Sequence, residues 1–310
     1  MTAEPLVYLN GQTVPASQAH LAIYDAGIVQ GATVTEQTRT FRHRPWRLDD
    51  HLDRLFDSLR YAGIEPGLSK DQFATISSEL VAHNAALIDP ADDLGVLHFV
   101  TAGEYPTYAA AGRPARPGPT VCVHTFPLPF ALWAKRMREG AHLITPSVRQ
   151  LPPQCYDAKL KCRSRMHYYL ADREARQVDP EASALLLDLD GHVTETSTAN
   201  LLIVRRGALL SPTTRHTLAG ISRQTVIELA AKRGIAFVER DLQLYDVLTA
   251  DEAFLTSTPY CVMPVTRVNG VPVGGGRVGP MCRQLLAAWS EVVGLDIEAQ
   301  IQERARRAGQ

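Results

Sequence analysis

Residues 185–204 read LLLDLDGHVTETSTANLLIV, and this stretch gives the first indication of how the chain folds. Asp190-Gly191 lies between two apolar runs and is typical of a tight hairpin turn, so the sequence predicts a strand over 184–189 and another through residue 193. Glu195, three hydroxyl residues and Asn200 follow where a buried strand would be apolar. They indicate either a polar site or the solvated edge of a hairpin.

A second stretch, LAGISR at 218–223, begins a helix that the sequence predicts over 221–233, ended by Gly234. Gly220 and Ser222 place a small residue and a hydroxyl at the start of this helix. Free backbone N–H groups and the helix dipole favour an anionic group there, typically a phosphate. The simpler alternative is that Ser222 only caps the helix.

A third feature is basic. Lys159-Leu160-Lys161 is followed by Arg163 and Arg165 near the start of a helix predicted over 163–177. A lysine becomes a nucleophile when burial or neighbouring cations lower its pKa, and two nearby arginines act in that direction. The alternative is a solvated basic surface. Together, a lysine, a carboxylate and a phosphate-binding helix start are the parts needed to hold pyridoxal 5′-phosphate.

Short strands and helices alternate along the rest of the chain, which indicates an α+β fold. A hairpin is predicted near the N-terminus, and a strand over 32–41. A helix is predicted over 51–61, capped by Asp49 or Asp50. Its apolar stripe is formed by leucines and a phenylalanine at helical spacing: Leu52, Leu55, Phe56 and Leu59.

The length of 310 residues favours two domains. The two prolines of FPLPF at 126–130 interrupt the alternation just before a predicted helix at 131–139. We therefore predict a smaller N-terminal α+β domain over 1–127 and a larger C-terminal α+β domain over 128–310.

The composition excludes several classes of protein. The chain has 32 Lys and Arg against 33 Asp and Glu, a formal charge of −1, and 45% apolar residues. A disordered chain would be less apolar or more charged, and a nucleic-acid-binding protein would usually be basic. No apolar run is long enough for a membrane span, and no secretory signal is visible at the N-terminus. We expect no nucleic-acid partner and no membrane association.

The five cysteines, an odd number without any CxxC pair, favour reduced packing residues in a cytoplasmic protein. Asp188-Leu189-Asp190-Gly191-His192 contains the Asp-x-Asp pattern of some metal sites. An Asp-Gly hairpin turn explains this stretch more simply, so no metal is predicted.

The order and spacing of several motifs resemble those of the class IV, or fold type IV, pyridoxal-phosphate aminotransferases. This family includes branched-chain and D-amino-acid aminotransferases and aminodeoxychorismate lyase. The resemblance runs through nearly the whole chain. The motifs that carry it are VYLNG at 7–11, HLDRL at 51–55, KCRSRMHYYLADREA at 161–175, the stretch 185–204, LAGISR at 218–223 and ADEAFLTST at 250–258.

The resemblance implies a two-domain α+β fold like that of D-amino-acid aminotransferase, with pyridoxal 5′-phosphate in the cleft between the domains of a homodimer. Lys161 corresponds to the lysine that bonds to the cofactor's aldehyde and moves protons, with Lys159 as its rival. Glu195 corresponds to the partner of the pyridine nitrogen. The implied ligands of the phosphate are Arg54, the backbone N–H groups of Ile221 and Ser222, and Thr258.

The implied reaction is transamination between an amino acid and a 2-oxo acid, with a branched-chain-like substrate as the first expectation. Aminodeoxychorismate lyase activity, which releases pyruvate, and a non-catalytic cofactor-binding role are the alternatives. Thr35 stands where branched-chain enzymes typically have an aromatic residue, and Met166 where they have a tyrosine near the cofactor. Arg39 would meet a substrate carboxylate if its strand faces the pocket.

Overall fold

The computed structural model of the chain describes residues 4–108 and 115–308. The chain divides into two compact units. The first comprises 1–128 and the segment 160–164, and the second comprises 129–159 and 165–310. The domains predicted from the sequence, 1–127 and 128–310, place the segment 160–164 in the second domain, whereas the structure assigns it to the first unit.

The first unit has one six-stranded sheet with helices α1 (Ala26–Val29), α2 (Leu48–Ala62) and α3 (Lys70–Ala85). The order across the sheet is β2-β1-β6-β5-β3-β4. The strands are β1 (Leu6–Leu9), β2 (Gln12–Pro15), β3 (Thr33–Phe41), β4 (Arg44–Pro45), β5 (Leu94–Thr101) and β6 (Thr120–Pro127). The predicted hairpin at Asn10-Gly11 is confirmed, and both residues have positive φ, as a primed turn requires.

Helix α2 packs on this sheet through the predicted apolar stripe, because Leu52, Leu55 and Leu59 are at most 1% exposed. The predicted start of this helix was wrong. The helix begins at Leu48, after Arg47 in a left-handed conformation, and no side chain caps it. Asp49 and Asp50 lie inside the first turn, where a negative charge interacts favourably with the helix dipole.

The second unit has a nine-stranded sheet in the order β12-β11-β10-β13-β14-β7-β8-β9, with β15 paired to β14. One pairing between β9 and β10 closes six of these strands into a ring. The strands are β7 (Ala141–Ile144), β8 (Ser183–Leu187), β9 (Val193–Thr196), β10 (Asn200–Arg205), β11 (Ala208–Ser211), β12 (Phe237–Glu239), β13 (Glu252–Ser257), β14 (Cys261–Val268) and β15 (Val271–Pro272). The helices are α4 (Ala131–Glu139), α5 (Met166–Val178), α6 (Ile221–Lys232), α7 (Leu244–Leu248), α8 (Pro280–Val293) and α9 (Ile297–Ala308).

Helix α5 starts three residues later than predicted, at Met166. The residues before it are extended and pair with the edge of β3, which takes up their backbone hydrogen-bonding groups. Among the described residues, no helix has both the length and the apolar character needed to cross a membrane.

Candidate active site

Lys161 belongs to the first unit, where its backbone is fixed against β3. The N–H of Thr35 donates to the carbonyl of Lys161 at 2.9 Å, and the N–H of Arg163 donates to the carbonyl of Thr33 at 2.9 Å. Val34 and Cys162 form the bridge between these two bonds. A short strand-like pairing therefore holds the lysine at a defined position on the edge of a sheet.

Lys159 has a different environment. Its side chain is 56% exposed and pairs with Asp157 at 3.2 Å. A hydrated ammonium held in an ion pair is a poor nucleophile. Lys161 is partly buried, and its positive charge acts on the ring of His51 in the same unit. Of the two lysines, Lys161 therefore has the surroundings suited to chemistry.

Arg54, the predicted phosphate ligand, is held by a buried carboxylate. Its Nε donates to Glu36 Oε2 and its Nη2 donates to Glu36 Oε1, each at 2.8 Å. Glu36 is fully buried, and His51 Nδ1 lies 3.0 Å from Glu36 Oε1. This two-pronged pair uses two of the five N–H donors of the guanidinium and fixes the plane in which the others point.

The charges in this cluster are set by their neighbours. Burial by itself would raise the pKa of Glu36, but the positive charge of Arg54 and the hydrogen bonds from His51 and Arg54 hold it well below its usual range. Burial lowers the pKa of His51, and the charges of Arg54 and Lys161 add to that effect against the bond to Glu36. The cluster therefore contains a carboxylate and a neutral imidazole near neutral pH.

Replacing Glu36 by alanine is expected to lower the free energy of unfolding by about 3–5 kcal/mol, because the charge of Arg54 loses its buried partner. Chemical denaturation measures the effect. The matched control is Asp53→Ala, which removes an exposed pair with Lys70 and is expected to leave the free energy of unfolding nearly unchanged. Equal losses in the two variants would contradict the role given to Glu36.

The stability difference between wild type and Glu36→Ala is expected to depend on pH. The pKa of Glu36 is lower in the folded state than the value of about 4.3 in an unfolded chain. Its stabilising contribution is therefore fully present above that value and is lost as the pH falls towards the folded pKa. The stability difference between wild type and Glu36→Ala is expected to be constant from pH 8 to about pH 5 and to shrink below about pH 4.

The two candidate substrate residues on β3 are both buried. Thr35 donates its hydroxyl to the carbonyl of His98 at 2.9 Å, so its side chain is engaged within the sheet. Arg39 is 0% exposed, lies 3.7 Å from Asp93 and stacks on the ring of Phe41. Its charge is paired with Asp93 inside the unit, and a contact of Arg39 with a substrate carboxylate stays a prediction.

Glu195 belongs to the second unit and is only 6% exposed. Asn200 Nδ2 donates to its Oε2 at 2.9 Å, and the backbone N–H of Leu218 donates to the same oxygen at 3.1 Å. Tyr168 donates its hydroxyl to Oε1 at 2.8 Å. With Gln150 Nε2 at 3.4 Å from Oε1, four donors hold the two carboxylate oxygens, so Glu195 is part of a buried polar site rather than a solvated hairpin edge.

Tyr168 and its neighbour Gln150 were not singled out by the sequence. Gln150 Nε2 lies 2.9 Å from the Tyr168 hydroxyl, and His167 Nε2 lies 3.1 Å from Gln150 Oε1. Burial, and then the charge of Glu195, holds the pKa of Tyr168 well above its usual range, so its hydroxyl remains a donor. The only signal was indirect, since the family resemblance leads one to expect a tyrosine near the cofactor at the position of Met166.

Helix α6 begins as predicted at Ile221, with Gly220 at the cap position. The alternative in which Ser222 caps the helix is wrong, because Ser222 is its second residue. No side chain among the described residues caps α6 or accepts from the backbone N–H groups of Ile221 and Ser222. A Cβ at Gly220 would collide with Asn200 Oδ1, so the same asparagine touches both Glu195 and the start of the helix.

Helix α8 provides an internal comparison. It also begins after a glycine, Gly279, but its first N–H groups have an anionic partner. The carboxylate of Glu252 accepts from the N–H groups of Met281 and Cys282 at 2.9 Å each. The start of α6 has the same construction without the carboxylate, so it suits an anion supplied by a ligand.

These positions decide whether the chain fits pyridoxal phosphate. Arg54 and Lys161 lie in the first unit, whereas Glu195, Ile221, Ser222 and Thr258 lie in the second. Thr258 lies in the turn that follows β13 and is partly buried. The uncapped helix start suits a phosphate, and the fixed carboxylate suits a protonated ring nitrogen. The residues present therefore fit the group.

One further cluster is formed by side chains of the predicted hairpin turn. Among the described residues, ligand atoms of Asp188, Asp190 and His192 lie within 4.8 Å of one another. Asp188 Oδ1 accepts from the backbone N–H groups of Asp190 and His192 at 2.9 and 2.8 Å. These bonds form the hairpin turn that the sequence predicted.

The chain belongs to the class IV aminotransferase family, whose model matches residues 33–268. This match confirms the resemblance found in the sequence. The α+β fold type IV predicted from it is likewise confirmed by the fold of its structural relatives.

Two curated relatives and one solved structure illustrate the similarity. The D-alanine aminotransferase of Bacillus licheniformis is 30% identical over 285 residues, which cover 91% of this chain and 95% of that protein. The branched-chain-amino-acid aminotransferase-like protein 1 of Arabidopsis thaliana is 28% identical over 94% of this chain. This chain spans about half the length of that protein and of its paralogue, 51% and 50%. A solved structure of the T.th. branched-chain amino acid aminotransferase with pyridoxamine 5′-phosphate has a TM-score of 0.83 and 26% identity, covering 95% of this chain and 96% of that one.

Proposed function

We propose that this chain is a pyridoxal-phosphate-dependent aminotransferase that moves an amino group between an amino acid and a 2-oxo acid. The observation that carries the proposal is the link between Glu195 and the start of α6. Asn200 and the N–H of Leu218 bind Glu195, and Asn200 also touches Gly220 at the uncapped helix start. The loop that leads into α6 thereby connects the carboxylate on β9 with the anion site at the start of the helix.

The proposed roles follow from the chemistry of each group. The N–H groups of Ile221 and Ser222, together with Arg54 and Thr258, bind the phosphate. Glu195 binds the protonated ring nitrogen, and Lys161 bonds to the aldehyde carbon.

When bound, pyridoxal phosphate supplies an electron-withdrawing ring and an aldehyde that accepts and donates the amino group. Once the substrate's amino group had displaced Lys161 from the aldehyde carbon, the freed Lys161 Nζ would accept the proton from the substrate Cα and deliver a proton to C4′. The negative charge of Glu195 keeps a proton on the ring nitrogen throughout. Tyr168, Asn200 and Leu218 hold that carboxylate in place, so the residue does not have to reorganise during the reaction.

For the substrate we propose a branched-chain amino acid. Relatives named as branched-chain aminotransferases match more than 90% of this chain, and the similar D-alanine aminotransferase defines the competing class. The β3 residue Thr35 contributes through its backbone, which holds Lys161, rather than through an aromatic wall.

A coupled assay tests this proposal. With L-leucine and a 2-oxo acid acceptor, we expect continuous formation of the oxo acid of leucine, and no turnover without the acceptor. D-Alanine in place of L-leucine tests the competing substrate class. Release of pyruvate from aminodeoxychorismate without an acceptor would instead support the lyase. Cofactor binding without turnover of any donor would support the non-catalytic role.

We also propose a cytoplasmic homodimer. None of the five cysteines, all of which lie in the described part of the chain, forms a disulfide, which agrees with a reducing compartment. In the first unit, Ile23 and Ile28 are 86% and 63% exposed, and a second copy of the chain would cover such apolar side chains.

A further inference from the structure

The hydroxyl of Thr256 on β13 is buried and has no partner. Thr256 is 2% exposed, and no group among the described residues forms a hydrogen bond with its Oγ1. Buried hydroxyls are almost always hydrogen-bonded, because an unpaired one destabilises the fold. The partner of this hydroxyl is therefore to be sought in a ligand.

The strand pairing shows which face of the sheet this hydroxyl occupies. Thr256 lies directly opposite Asn200 of β10, so their side chains are on the same face. The side chain of Asn200 reaches the carbonyl of Leu218 and touches Gly220, at the start of α6. Four residues earlier on β13, Glu252 is on this face too, and its carboxylate binds the first turn of α8.

Thr256 thus lies between two helix starts on one face of the sheet. The start of α8 receives the carboxylate of Glu252, and the start of α6 receives no side chain among the described residues. The unpaired hydroxyl is on the strand that packs against α6 and lies opposite the asparagine that touches its cap. An anion at this helix start would therefore have a hydroxyl donor beside it.

We propose that Thr256 Oγ1 donates a hydrogen bond to the phosphate held at the start of α6. This proposal rests on the proposed function, and it adds a ligand inside β13 to the turn residue Thr258 that follows the strand. Within β13 the side chains alternate, so Thr256 shares its face with Phe254 and Glu252, whereas Ser257 faces the other way and binds the carbonyl of Thr198.

The test is Thr256→Val, which keeps the shape of the side chain and removes the hydroxyl. Apoprotein is titrated with pyridoxal 5′-phosphate and, separately, with pyridoxal, which lacks the phosphate. We expect the affinity for pyridoxal 5′-phosphate to fall about 10- to 100-fold, as loss of a hydrogen bond to a charged group implies, and the affinity for pyridoxal to stay unchanged. Thr256→Ser retains the hydroxyl and is expected to restore most of the affinity.

The thermal stability of the apoprotein gives a second readout, because we expect Thr256→Val to raise the Tm although it lowers the affinity for pyridoxal 5′-phosphate. Because valine removes an unpaired buried hydroxyl, the Tm of apo Thr256→Val is expected to rise by about 2 °C. The matched control is Thr266→Val on the neighbouring strand β14. Thr266 donates to the carbonyl of Glu139 at 2.9 Å, so its replacement should lower the apo Tm and leave the affinity for pyridoxal 5′-phosphate unchanged.

Two results would overturn the inference. One is wild-type affinity of Thr256→Val for pyridoxal 5′-phosphate, and the other is an equal loss of affinity for pyridoxal. Failure of the proposed function has a different signature, since the wild-type protein itself would then bind pyridoxal 5′-phosphate no better than the pyridoxal control.

Discussion

Replacing Lys161 by alanine is expected to reduce the rate of transamination by more than about 10⁴-fold, because one side chain supplies both the covalent link and the proton transfer. The oxo-acid product of L-leucine measures the rate at saturating cofactor. The remaining groups that bind the phosphate and the ring are untouched, so the variant should still bind the cofactor without covalent attachment.

Lys159→Ala is the matched control, two residues away on the same segment. Its side chain is exposed and paired with Asp157, so its loss should change the rate by no more than about twofold. A variant at Lys159 that is inactive beside an active variant at Lys161 would transfer the catalytic role to Lys159.

Replacing Glu195 by glutamine is expected to lower kcat by about 10²- to 10³-fold, equivalent to about 3–4 kcal/mol of transition-state stabilisation. The amide keeps the shape of the side chain but removes the charge that holds a proton on the ring nitrogen. Its NH₂ group would also replace one of the two accepting oxygens, and would then face either Tyr168 or the pair of donors from Asn200 and Leu218. The fall should appear in kcat rather than in KM, because the substrate itself does not touch this end of the cofactor.

Glu181→Gln is the control for Glu195→Gln, since it removes an exposed glutamate of the same unit that pairs with Lys135. We expect wild-type kcat in this variant. If Glu195→Gln retained wild-type kcat, the assignment of Glu195 to the ring nitrogen would be refuted.

Local patterns predicted most of the elements of the fold. The stripe in α2, the start of α6 and the turn at Asp190-Gly191 depend on residues a few positions apart, so they are visible in the sequence. The start of α5 was not predictable in this way. Residues 161–163 could continue a helix on propensity alone, but their backbone groups bind β3, about 130 residues earlier in the chain.

In the candidate site, too, some features could be predicted from the sequence and others depend on contacts between distant residues. The resemblance to a family identified Lys161, Arg54 and Glu195 by matching position, and the structure shows what holds each of them. Glu36, His51 and Tyr168 act through contacts between residues far apart in the sequence, and no spacing rule finds such contacts. The pairing of Arg39 with Asp93 is another such contact, because strand alternation alone does not show it.

The central claim is that Lys161 bonds to the aldehyde of pyridoxal phosphate. The most direct measurement is to load the purified chain with the cofactor, reduce the covalent link with borohydride, digest the protein and locate the modified residue by mass spectrometry. The account predicts a visible absorption band that disappears on reduction, and a phosphopyridoxyl group on Lys161. Modification of Lys159 instead, or no band and no modified lysine after loading, would contradict it.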